Sequence, residues 1–235
     1  MKILDLFFPQ NSKCMFCNDE TSFIGICDNC MKDLPFINEP SCKICGGKLI
    51  GDGLVCIECK NRHFKFKKCY CVFEYRDSVR TKLLEFKNGD RKYFGYSFSE
   101  ILANKYRDID EKFDLIIPIP INEKRLKTRG FNQSEILCRA LTDTGKVNID
   151  VLERVKDTPH QTGLDREHRI SNLNDAFVVK DKSIVKGKTI LLVDDIYTTG
   201  STLNECAKTL LKAGASNVIG LCLARTPISH DKIIS

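Results

Sequence analysis

Thr189-Ile-Leu-Leu-Val-Asp-Asp-Ile-Tyr-Thr-Thr-Gly-Ser-Thr202 is the stretch that decides the fold. Ile190 to Val193 is a short, unbroken apolar run, the pattern of a parallel strand buried on both faces. Asp194 and Asp195 follow it directly, and a polar loop with one glycine runs from Thr198 to Ser201. Beyond the loop, Leu203, Ala207, Leu210 and Leu211 fall on one face of a helix. The expected unit is strand, loop, helix, with two acids at the carboxyl end of the strand.

Such a junction suits a phosphorylated ligand. The first N–H groups of the helix have no partners within it, and they lie at the positive end of its dipole. Gly200 lets a ligand approach the backbone, and Thr198, Thr199, Ser201 and Thr202 add hydroxyl donors. No lysine follows the glycine, so the loop is not of the Walker type. Adjacent acids suit a polyhydroxylated group or its Mg²⁺, and together the two parts describe a sugar-phosphate site. The plainer reading is a capped helix after a strand with ordinary loop acids.

The complete stretch resembles the PRPP-binding signature of type I phosphoribosyltransferases, an apolar run, two acids, then Thr-Thr-Gly-Ser-Thr. The resemblance implies an α/β fold, with a parallel sheet flanked by helices. It also implies that Asp194 and Asp195 hold the ribose hydroxyls and that Thr198, Thr199, Gly200, Ser201 and Thr202 hold the 5-phosphate.

The chain has 235 residues, a formal charge of +6 and thirteen cysteines. The charge permits an anionic partner without requiring one. No apolar run approaches the ~20 residues of a membrane helix. Met1 to Pro9 lacks the cleavage pattern of a signal peptide, so the expected location is cytoplasmic. In that compartment so many cysteines point to metal or redox chemistry rather than to disulfides.

Eight cysteines form four Cys-x-x-Cys pairs, Cys14 with Cys17, Cys27 with Cys30, Cys42 with Cys45, and Cys56 with Cys59. Each pair puts two thiolates on one side of a tight turn, and two turns complete a tetrahedral Zn²⁺ site. The paired unit recurs after about 28 residues, as expected of tandem zinc ribbons. Spacing leaves the pairing open between sequential and interleaved sites. The segment is poor in apolar residues, so two zinc ions would supply its missing stability. The expected division is a double zinc ribbon over residues 1–68 and a phosphoribosyltransferase-like domain over residues 69–235.

Cys69 and Cys71 lie at the start of a strand-like run, Tyr70 to Tyr75, and read as strand residues. Cys138, Cys206 and Cys222 read as isolated core residues. Between the domains, Asn61 to Lys68 interleaves basic residues with Phe64 and Phe66. It reads either as a strip for single-stranded nucleic acid or, preferably, as a solvated linker whose phenylalanines pack on a neighbour.

Helices are expected from Asp77-Ser78 through Phe86 and from about Arg91 to Tyr106, broken at Asn88-Gly89-Asp90. Asp114 to Pro120 is expected as a second buried strand. After it, Ile121 to Gly130 reads as a basic loop, and a helix bearing Ile136, Leu137, Ala140 and Leu141 follows. A last strand spans Asn217 to Ala224.

Lys124-Arg125, then Arg129-Gly130-Phe131-Asn132-Gln133, is similar to a signature of ComF proteins. So is Arg154 to Leu164, followed by Arg166, Arg169, Asn172 and Ala176-Phe177. The four cysteine pairs fit the same family. The resemblance implies a competence protein of the ComFC type acting on incoming single-stranded DNA, at the inner face of the membrane, beside a helicase-like partner. It implies a mobile loop over residues 156–174 that closes on the site. Arg125, Arg129 and Lys156 are then candidate pyrophosphate contacts. Thr198 stands where members acting on 6-oxopurines carry an aspartate, and a hydroxyl is no general base near neutral pH. Nucleobase salvage is therefore disfavoured. The alternative is a non-catalytic nucleic-acid-binding factor that uses the ribbons and the basic face.

Overall fold

The computed structural model describes residues 12–21, 25–51, 53–89, 91–156 and 175–228. A four-stranded parallel sheet carries the site. Its strands are β3 (Cys69–Glu74), β4 (Leu115–Pro118), β7 (Thr189–Tyr197) and β8 (Asn217–Arg225), in the order β3-β8-β7-β4. The central pair β7 and β8 is apolar on both faces, because each face is covered by other elements.

On one face, Leu191, Val193, Ile219 and Leu221 pack with α3 (Asp77–Lys87) and α4 (Phe94–Arg107). On the other, Ile190, Leu192, Val218 and Cys222 pack with α8 (Ser201–Lys212) and with residues of the cysteine-rich segment. Two small antiparallel pairs lie outside this sheet, β1 (Ser12–Lys13) with β2 (Glu20–Thr21), and β5 (Leu152–Arg154) with β6 (Phe177–Val179). Short helices complete the described elements, α1 (Asp28–Asp33), α2 (Ile57–Lys60), α5 (Glu123–Arg129), α6 (Gln133–Leu137) and α7 (Lys182–Val185).

Face alternation along β7 slips by one beyond Asp194. Ile196 packs with the α3–α4 side, and Tyr197 packs with the cysteine-rich side. On β8, Leu223 and Ala224 both join the α3–α4 side. Arg225 then turns toward Cys45. The ends of the two central strands thus deliver Tyr197 and Arg225 to the ribbon face.

Three expectations need correction. The segment expected as a basic loop is largely the helix α5. The Asn122 side chain caps it by accepting from the Arg125 N–H at 2.8 Å. Lys127 pairs with Glu123 one turn away, and Gly130 stops it at φ 75°. The following helix is also broken, because only Gln133–Leu137 is α-helical and Arg139–Thr144 winds as a 3₁₀ turn. Cys222, expected to be isolated, lies with Cys69 and Cys71, since β8 pairs with β3; its sulfur is 3.7 Å from that of Cys69. The three form a buried thiol cluster against the ribbons, where Cys71 Sγ is 3.5 Å from the Cys45 carbonyl oxygen. The expected mobile loop falls, beyond Lys156, on residues 157–174, outside the described residues. Met1 to Pro9 lies outside them too.

Candidate ribose-phosphate site and cysteine centres

β7 runs on to Tyr197, so both acids belong to the strand. Asp194 and Asp195 are each partly buried. Asp194 Oδ1 accepts from Ser134 Oγ at 3.1 Å and from the Asp195 N–H at 2.9 Å. Asp195 Oδ2 lies 2.9 Å from Lys87 Nζ, at the end of α3. Burial, and then the charge of Asp195, push the Asp194 carboxyl up to about 7. Lys87 and the two donors pull the other way without cancelling this. The acids thus oppose each other's charge, with Lys87 and Ser134 as their described partners.

The loop beyond them is shaped by Gly200, which has φ 77° and forms the N-cap of α8. A Cβ there would come within 2.6 Å of Tyr197 Cζ and closer still to its hydroxyl. Only glycine fits. No side chain caps this twelve-residue helix, although Ser201 N–H reaches Thr199 Oγ1 at 3.4 Å. The Thr199 and Ser201 hydroxyls lie 2.8 Å apart. Tyr197 Oη beneath the loop, and Gln133 Nε2 on α6, are buried without a hydrogen-bond partner among the described residues. An uncapped helix start and clustered hydroxyls are the features that hold a phosphate, in a loop that Gly200 lets pack onto Tyr197. The residues present therefore fit the group.

The other expected contacts belong to α5 and to the segment after β5. Arg125 and Arg129 are half-buried on α5, and Arg129 donates to Gln133 Oε1 at 3.1 Å. Lys156 follows β5 and lines a cavity of about 640 Å³ with Asn122, Lys124, Arg154 and Lys180. Asp194 and Asp195 do not line that cavity. Ser134 joins the two regions, because α6 carries it from the end of the α5 segment to Asp194.

The cysteines come together as sequential sets. Cys14, Cys17, Cys27 and Cys30 form one cluster and Cys42, Cys45, Cys56 and Cys59 another, each with its sulfurs within 4.8 Å of one another. Cys17 and Cys27 sulfurs are 3.6 Å apart, and those of Cys45 and Cys56 are 3.7 Å apart, close to the edge of a tetrahedron with ~2.3 Å Zn–S bonds. Burial acts to raise the Cys14 thiol, but N–H groups of Cys27, Cys17 and Phe16 outweigh it and bring it down to about 7. In the second cluster, hydrogen bonds from Cys45, Cys56 and Cys59 hold Cys42 as the thiolate, well below its ordinary range. Both donor sets fit Zn²⁺.

The strip at residues 61–68 packs rather than standing clear. Phe66 is buried, stacks against Phe64 and meets Tyr197 edge-on. Arg62 donates to the Thr199 carbonyl at 2.7 Å, and the Lys65 N–H donates to Asn204 Oδ1 at 2.6 Å. Lys65 and Lys67 remain exposed, while Lys68 lies over the Tyr70 ring. Sequence reasoning passed over Ser134, Lys87 and Arg225 as members of the site. The first two were visible only as polar residues on amphipathic helices.

Residues 97–234 match the phosphoribosyl transferase domain family, and residues 3–71 match the double zinc ribbon domain family. The architecture is thus that of a phosphoribosyltransferase-type α/β domain joined to a double zinc ribbon. Along nearly its whole length the chain is similar to Competence protein F of Haemophilus influenzae, at 30% identity over 226 residues, 92% of this chain and 97% of that protein. It is 30% identical to the DNA utilization protein YhgH of Escherichia coli O157:H7 over 86% of this chain and 91% of that protein. With Competence protein ComFC of Bacillus subtilis it shares 29% identity over 86% of this chain and 84% of that one. The chain belongs to the ComF family. No helix among the described residues is long and apolar enough to cross a membrane.

Proposed function

We propose that this chain binds PRPP, or a closely related ribose phosphate, with Mg²⁺ at the carboxyl end of β7, and that it serves the handling of single-stranded DNA during DNA uptake. The observation that carries the reading is the junction at Gly200, where a glycine-only loop opens an uncapped helix directly after two partly buried acids. In this reading Asp194 and Asp195 take the ribose hydroxyls. Thr198, Thr199, Ser201 and Thr202, with the amide groups around Gly200, take the 5-phosphate. Lys87, 2.9 Å away, orients Asp195 in the meantime.

Arg125, Arg129 and Lys156 are proposed to stabilise the pyrophosphate end, where negative charge grows if the ribose bond breaks. Mg²⁺ would supply further charge neutralisation on the phosphates. The eight ribbon cysteines are proposed to hold two zinc ions. A boundary after residue 68 is proposed to separate ribbon and sheet domains. The cytoplasmic side of the membrane, next to a helicase-like partner, is the setting that the family relationship supports.

Thr198 favours a second reading, binding without turnover of a base. An exposed hydroxyl at this position offers no general base. The packing of Phe66 leaves base stacking at residues 61–68 to Phe64 and the exposed His63 ring, so DNA contact there rests mainly on the exposed lysines.

Calorimetry with PRPP and Mg²⁺ tests the site. Wild type should bind, and Asp194→Asn/Asp195→Asn should lose at least tenfold in affinity. Equal, tight binding by both would reject the assignment.

A further inference from the structure

Arg225, at the end of β8, is 1% exposed and among the largest fully buried side chains of the protein. It lies between the second cysteine cluster and the phosphate loop. On the ribbon side its Nε donates to Cys45 Sγ at 3.3 Å and its second guanidinium nitrogen donates to Glu58 Oε2 at 2.9 Å. A third donor reaches the Thr226 carbonyl. Gly47 is cut to fit it, because a Cβ there would come within 2.6 Å of Arg225 Cδ.

On the loop side, the guanidinium lies 5.6 Å from the centre of the Tyr197 ring. That ring fills the space a Gly200 side chain would need. Two other contacts run the same way, Arg62 to the Thr199 carbonyl and Phe66 edge-on to Tyr197.

We infer that Arg225 is a positioning residue through which the second four-cysteine centre sets the conformation of the Thr198–Thr202 loop. Four thiolates around Zn²⁺ carry a net charge of −2. Buried, that charge requires a compensating cation and donors to sulfur. Arg225 supplies both at Cys45. When the metal leaves, the four sulfurs are no longer held in one place; Arg225 keeps Glu58 and the Thr226 carbonyl but loses the fixed Cys45 sulfur that orients its Nε. Tyr197 then loses the fixed cation beside its ring, and the loop loses a fixed floor. Metal in the second centre and phosphate ligand at the loop are therefore linked, and by reciprocity each strengthens the other. The link to a phosphate ligand rests on the function proposed above; the link to loop conformation does not.

Hydrogen exchange at the backbone amides of residues 198–203 tests the inference in the zinc-loaded full chain. Arg225→Met and, independently, Cys59→Ser should each speed exchange there at least tenfold. Cys17→Ser, in the other centre, should leave it unchanged. Arg225→Lys keeps the charge but not the planar fork, so it should fall between wild type and Arg225→Met. Saturating PRPP should slow zinc release to a chelator from the second centre in wild type and not in Arg225→Met. Unchanged exchange in both Arg225→Met and Cys59→Ser, or equal acceleration by Cys17→Ser, would overturn the coupling. A wild type that ignores PRPP would overturn the ligand reading, and the exchange data would still decide the role of Arg225.

Discussion

Replacing Asp194 with asparagine should stabilise the ligand-free protein at alkaline pH while weakening the site. The Asp194 carboxyl is raised from 3.8 to about 7, by burial first and by Asp195 second. Because its folded value exceeds the unfolded one, the stabilisation from its protonated form is complete below pH ~4 and is lost as the pH rises through about 7. A shift of roughly three units at ~1.4 kcal/mol each sets a ceiling of about 4 kcal/mol. Partial contact with solvent reduces this to about 2 kcal/mol. Asparagine keeps an oxygen to accept from Ser134 and from the Asp195 N–H but has no charge to desolvate. At pH 8.5 Asp194→Asn should therefore be more stable by about 2 kcal/mol, or roughly 4–8 °C in Tm. At pH 5 the gap should shrink to somewhat below ~1 kcal/mol, because only the unfolded carboxyl is largely ionised there. Urea and thermal unfolding at both pH values measure this. A gap that is the same at pH 5 and pH 8.5, or a variant less stable at pH 8.5, would refute the reasoning.

Gly200→Ala should destabilise the protein by about 2–4 kcal/mol, through left-handed backbone strain and a clash with Tyr197, and should cut PRPP affinity at least tenfold; urea unfolding and calorimetry read the two effects. Elemental analysis should find two zinc per chain, and fewer would contradict two complete four-cysteine centres. Phe66→Ala should cost about 3–5 kcal/mol in unfolding measurements, because the ring is core rather than a stacking platform. Single-stranded DNA affinity should fall steeply with salt, and Lys65→Ala/Lys67→Ala/Lys68→Ala should flatten that slope; an unchanged slope would remove the strip from the DNA-binding surface.

What could be read from the sequence follows from which signals are local. Ile190 to Val193 reads as a buried parallel strand because both faces of such a strand are apolar, and the acids and glycine follow without a gap. Cys-x-x-Cys turns announce themselves at short range, although their pairing was settled only by the arrangement in space. α5 was hidden by its own charge. Four basic residues drew the eye to solvent, while Asn122 and Gly130 were the caps that marked a helix.

Contacts across the sheet had no local signature. Ser134 and Asp194 are 60 residues apart, and Arg225 and Cys45 are 180 apart. Cys222 looked isolated for the same reason, since only the adjacency of β3 and β8 brings it to Cys69. Phe66 belonged to a stretch that read preferably as a linker with its phenylalanines packed on a neighbour, but which neighbour had no local signature; its burial against Tyr197 depends on the ribbon segment lying over the loop.

The most direct test is a crystal structure of the protein with Mg²⁺ and PRPP. The 5-phosphate should sit within hydrogen-bond reach of the amides of Thr199 to Thr202, with the ribose hydroxyls on Asp194 and Asp195. Ligand density confined to the cavity beside Lys124 and Arg154, with the Gly200 loop left open, would contradict the account.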